Sequence, residues 1–96
     1  MSIRQVLLCG LAALAFAGTA KAECFADYKA KQDNPLRLHY GVADIPDSAC
    51  SSGAAAQALA PRLAAGGWTL LNVISVFGPE GLEERKASAG NFFRRF

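Results

Sequence analysis

What most constrains this chain is how little of it is left to fold once its first 22 residues are set aside. Arg4 is a short basic start, Val6 to Ala17 an apolar run, and Ala20-Lys21-Ala22 a small-x-small cleavage site, which is the order of a secretory signal peptide. The run is about a dozen residues, against the roughly 18 to 20 that span a bilayer, so the expectation is an exported chain cut after Ala22. Leu8 precedes Cys9 where a lipid-attachment box wants a small residue, which argues against a lipoprotein. Residues 23–96, 74 of the 96, are then expected to be a single small domain, periplasmic or secreted, with no membrane span after cleavage.

Setting the leader aside changes the charge. Ten basic residues stand against eight acidic ones in the full chain, and Arg4 and Lys21 leave with the leader, so residues 23–96 are neutral. The basic excess that would attract nucleic acid or an anionic surface therefore belongs to the leader, and no nucleic-acid partner is expected. The cysteine count falls from three to two, Cys24 and Cys50. In an exported chain two cysteines predict one disulfide. Closing a loop of about 27 residues stabilises by about 3.5 kcal/mol in the chain-entropy model. A core of this size rarely supplies more than about 3 to 5 kcal/mol alone, so the link is a large share of the whole. A redox pair would be spaced Cys-x-x-Cys, and structural zinc needs about four ligands. The mature chain offers two cysteines and His39, its one histidine, so no metal or other cofactor is expected.

Hydrophobic alternation lays out the elements. Cys24, Ala26, Tyr28 and Ala30 fall on one side of Cys24–Lys31, with mainly charged residues on the other, as in a half-buried strand; a short helix is the alternative. Gln32-Asp33-Asn34-Pro35 reads as a turn. Leu36, Leu38, Tyr40 and Val42 then alternate with Arg37 and His39 in the most legible strand. Ala43–Ser52 reads as a loop carrying Cys50 and offering Ser51 or Ser52 as a helix cap. Ala54–Ala65 is helical in composition, with Ala56, Leu59, Ala60 and Leu63 on a shared face. Pro61 lacks the N–H that would reach Gln57 and is expected to kink or split this helix. Gly66-Gly67 ends it. Trp68–Phe77, rich in β-branched and aromatic residues, reads as the central strand. Gly78–Gly81 breaks it, Leu82–Ala89 forms a second helix with Glu83 and Glu84 early and Arg85 and Lys86 late, and Asn91–Phe96 alternates as a short edge strand. The fold class is α+β: a small antiparallel sheet of three to four strands with one main helix on one face.

With these elements placed, the pattern resembles a family of small bacterial domains catalogued as a domain of unknown function, in an exported, alphaproteobacterial-type variant. The residues that carry the resemblance are Leu38-His39-Tyr40-Gly41-Val42, Leu59 to Gly66, Gly67-Trp68-Thr69-Leu70-Leu71-Asn72-Val73, and Phe92-Phe93-Arg94-Arg95. It covers residues 36 to 96 and implies a strand, helix, Gly-Trp strand and final aromatic strand. The chain departs from it before Leu36, in the cysteine pair, and in the Gly78–Gly90 insertion. The resemblance implies a fold and transfers no functional residue.

No catalytic constellation stands out in the residues themselves. His39 lies on the polar face of its strand beside Arg37 and is expected to be exposed. No serine sits in a Gly-x-Ser-x-Gly elbow, and Asp44 with Asp47, or Glu80 with Glu83 and Glu84, lie in turns or helix starts where carboxylates serve the dipole. Neither Gly66-Gly67 nor Gly78–Gly81 forms a phosphate loop. The expectation is a small binding module of the bacterial envelope. With a helix on one sheet face, the other would present Arg37, His39, Phe77, Phe93 and Arg95, aromatic and arginine side chains of the kind enriched at interface hot spots, for a protein, peptide or glycan partner. The alternatives are a secreted inhibitor presenting Ile45-Pro46-Asp47, and a small enzyme using His39.

Overall fold

The computed structural model describes residues 23–96, so the signal-peptide reading of residues 1–22 lies outside the described residues. Strands β1 (Cys24–Gln32) and β2 (Arg37–Ile45) form an antiparallel hairpin, followed by helix α1 (Ser52–Ala65), strand β3 (Thr69–Phe77) and helix α2 (Leu82–Ala89). The sheet order is β2-β1-β3, antiparallel throughout. The α+β class is as the alternation predicts. The central strand is β1, however, and not β3.

β1 is central because both its faces are usable. Cys24, Ala26, Tyr28 and Ala30 are buried under α1, packed with Ala55, Leu59 and Leu63 of the helix and with Ala43 and Ile45 of β2. On the opposite face Phe25 is buried with Val42 and Ala89, against Phe77, Leu82 and Phe93. The sheet therefore has a core on each side, a large one under α1 and a smaller one under α2 and the C-terminal segment. Small side chains at Ala26, Ala30, Ala43 and Ala55 let α1 lie close to the sheet, while Leu59 and Leu63 fill the interior.

Local chemistry explains the boundaries. Ser51 is extended, and its Oγ accepts from the Ala54 N–H at 3.3 Å, capping α1. Pro61 does not split this helix, which runs unbroken to Ala65. Both Pro61 and Gln57 are exposed, so the carbonyl that Pro61 cannot bond faces water and the lost bond is tolerated. Gly41 is paired with Tyr28, and a Cβ there would fall onto the Tyr28 phenol. Only glycine lets that ring lie across the neighbouring strand.

The C-terminal segment differs from the edge strand expected of Asn91–Phe96. A 3-10 turn at Gly90–Phe92 is followed by a single bridge between Phe93 and Val42. Positive φ angles at Gly90 (55°) and Arg94 (60°) prevent an extended run. The segment still covers the outer edge of β2 at Val42. The Arg94 N–H donates to the Val42 carbonyl at 2.7 Å, and the Arg94 guanidinium grips both oxygens of Asp44 at 2.9 Å.

Candidate functional site

Three constellations concentrate the chemistry of the described residues. The first surrounds His39. The sequence places this residue on an exposed polar face, and the structure reverses that: His39 is only 8 % exposed. Its face is the one that α1 covers, and the C-terminal aromatics fold over the same end. The imidazole stacks on Phe92 at 3.7 Å between centroids, meets Trp68 edge-on at 4.3 Å, and lies parallel to Phe96 at 6.0 Å. Its Nε2 is 2.9 Å from the Tyr28 hydroxyl. With the phenol donating, the ring proton sits on Nδ1, and in either tautomer Nδ1 has no partner among the described residues.

Burial lowers the His39 pKa, and the nearby Arg95 cation lowers it further. Burial pushes the Tyr28 phenol up to about 12, with Arg62 pulling weakly the other way. Both groups are therefore neutral at neutral pH, and the pair is a hydrogen-bonded anchor for the C-terminal rings. Because the folded pKa of His39 lies below its ordinary 6.5, the unfolded chain binds the proton first. Stability is full above about pH 6.5 and declines as the pH falls toward the folded value. Thermal melts from about pH 7.5 down to 5 are expected to show a falling midpoint. In His39→Gln that decline should vanish, and an equal slope in the variant would remove His39 as its source.

The second constellation is one the sequence reading missed. Asp27 is 5 % exposed in the middle of β1. It accepts from Ser75 Oγ at 2.7 Å, Tyr40 Oη at 2.8 Å and Arg85 Nε at 3.1 Å. Burial by itself pushes its carboxyl up, but the hydrogen bonds from Ser75, Tyr40 and Arg85, with the Arg85 charge, outweigh it and hold the pKa below 3.8. The Tyr40 phenol, buried beside the carboxylate, is pushed up to about 12. Arg85 also donates to the Gly81 carbonyl and stacks on Phe77 at 4.0 Å. The carboxylate thus ties all three strands to α2. Ser75 spends its proton on Asp27 and has no imidazole beside it, so the group is a clamp and not a nucleophile with its base. The one sequence signal was an aspartate, a poor strand former, at the centre of a strand.

The third is a surface. α2 and the C-terminal segment cover only the Phe25, Val42 and Phe77 end of the second sheet face. The other end is bare, and Leu38 there is 66 % exposed, Leu71 48 % and the adjoining Leu36 63 %. Lys29, Leu38, His39, Tyr40 and Leu71 line a hollow of about 260 Å³. Lys29 in its lining is exposed. Leu36 and Leu38, expected on the covered face, are thus the most exposed large hydrophobic side chains among the described residues, because the second helix is too short to reach them.

The residues proposed from sequence as one surface are separated. Phe77 and Phe93 pack into the second core with Phe25. His39 is buried on the opposite face, and Arg95 lies over Phe92 and Phe96. Arg37 alone stands free at the start of β2. Cys24 and Cys50 are joined by a disulfide, with Cα atoms 6.0 Å apart. In the Ile45-Pro46-Asp47 segment, Ile45 is buried at the end of β2, and Pro46 and Asp47 lead into a 3-10 turn held next to the disulfide. Comparison of the chain with family models, curated proteins and solved structures finds no match. What it does has to be argued from these side chains. Among the described residues no helix is long and apolar enough to cross a membrane.

Proposed function

We propose that residues 23–96 are a small exported, non-enzymatic binding module whose working surface is the bare end of the second sheet face. The observation that carries this reading is the exposure of Leu38 and Leu71 around a hollow that also holds the Tyr40 ring and Lys29. A chain this short has few large apolar side chains to spare, and leaving leucines out of both cores has a cost in burial free energy of about 1.5 to 3 kcal/mol each. A contiguous apolar patch with a polar rim marks an interaction site. Lys29 gives the hollow a cation, so the partner of best fit is a protein segment presenting apolar side chains next to a carboxylate. The leader-like start and the disulfide support export. Enclosure of His39 by Phe92, Trp68 and Tyr28 supports a packing role over a catalytic one.

Leu38→Ser/Leu71→Ser removes the patch without touching either core, so the fold should keep its melting temperature within a few degrees. Immobilised wild-type protein exposed to periplasmic extract is expected to retain a partner that the double variant does not. Equal retention by both proteins would place binding elsewhere.

A further inference from the structure

The two edges of the sheet are treated differently. The outer edge of β2 is covered at Val42 by the chain itself, through the Arg94 N–H on the Val42 carbonyl and the Phe93 bridge. The outer edge of β3 is left open. Among the described residues its backbone pairs only with β1. Open edges are usually blunted by a lysine, a proline, a buried charge, a covering loop or a bulge. Thr69–Phe77 has nine residues with no charge and no proline, and of these devices it has only irregular register with β1, between Asp27/Tyr28 and Lys29/Ala30. Ile74, in the middle, is 45 % exposed.

We propose that this edge pairs with the β3 edge of a second copy of the chain, antiparallel about a two-fold axis normal to the sheet. Such pairing sets each strand against itself. A charged strand would then bring like charges together, which is destabilising, whereas an uncharged one is self-compatible. Residues 23–96 as a whole are neutral, so two copies do not repel. The same axis keeps both α1 helices on one side of a continuous six-stranded sheet. The flank of α1 above the β3 edge is a groove of about 450 Å³ lined on the helix by Ala56, Ala60 and Ala64 beside Gln57, and below it by Trp68, Thr69 and Leu70. Small side chains there leave room for the neighbouring helix to approach. The dimer is isologous and closed, with no free β3 edge left to propagate. It shares β3 with the binding surface proposed above, since Leu71 belongs to that strand, but does not use Leu38, which lies on the far strand.

Sedimentation equilibrium on the exported, oxidised protein tests this, from low concentration up to about 200 µM, since association follows mass action. The expected mass is twice that of the chain at the upper end. Ile74→Lys puts a charge at the middle of each paired edge and is expected to give the monomer mass throughout, with an unchanged circular dichroism spectrum. Asn72→Lys, at another exposed position, gives the same result if Ile74→Lys fails to fold. Leu38→Ser keeps the dimer. A monomer mass for the wild type at every concentration overturns the proposal, as does a dimer that survives both lysines or is lost with Leu38→Ser.

Discussion

Cys24→Ala/Cys50→Ala is expected to be less stable than the wild type by about 3.5 kcal/mol, the closure term for a loop of this length. The bond spans a sequence separation of 26. It fastens the first residue of the central strand to the residue before the α1 cap, so it joins the element on which the sheet is built to the helix that covers it. A shift of that size lowers the melting midpoint by roughly 15 to 25 °C in a domain of this length. Urea unfolding should show the lower midpoint together with a steeper slope, because the open chain exposes more surface. If the double alanine variant unfolds within about 0.5 kcal/mol of the wild type, the two cores hold the fold without the link.

Asp27→Ala is the second large effect, with an expected loss of about 3 kcal/mol. It leaves Arg85 without its carboxylate and strips the Ser75 and Tyr40 hydroxyls of their shared acceptor. Arg85 retains some contact with water, which keeps the figure at the lower end for a broken buried pair. Asp27→Asn keeps the shape but presents an amide N–H₂ to donors, so it should also be costly. Two further readouts identify the cause. The double variant Asp27→Ala/Arg85→Ala should recover part of the loss, since the orphaned cation goes with it. And because the folded pKa of Asp27 lies below 3.8, the wild type should lose stability as the pH falls beneath that value, while Asp27→Ala lacks this component. A purely additive double variant would show that the pair is not coupled.

Local periodicity carried most of the fold. The alternation in Cys24–Ala30, the cap at Ser51, the Gly66 stop and the Leu82–Ala89 helix are each written in adjacent residues, and the structure has them all. What alternation could not say is which face of β2 would be covered. Leu38 and His39 alternate in either case; their fates depend on α1 and the Phe92 and Phe96 rings arriving over His39 while α2 stops short of Leu38. That is a tertiary outcome of helix length and chain direction. The buried Asp27 was illegible for a similar reason, since its partners Tyr40, Ser75 and Arg85 lie 13, 48 and 58 residues away. The final strand failed because two positive φ angles, at Gly90 and Arg94, turn a segment whose alternation looks extended.

Binding at the bare end of the sheet around Leu38 and Leu71, as proposed, has a direct spectroscopic consequence. Backbone amide NMR of the oxidised protein, titrated with an anionic apolar probe such as 8-anilinonaphthalene-1-sulfonate, tests it most directly. Saturable shifts are expected to be confined to Lys29, Leu38, Tyr40 and Leu71 with their neighbours, and to be abolished in Leu38→Ser/Leu71→Ser. Shifts centred instead on the Ile45–Ser48 segment, or none at saturating probe, would contradict it.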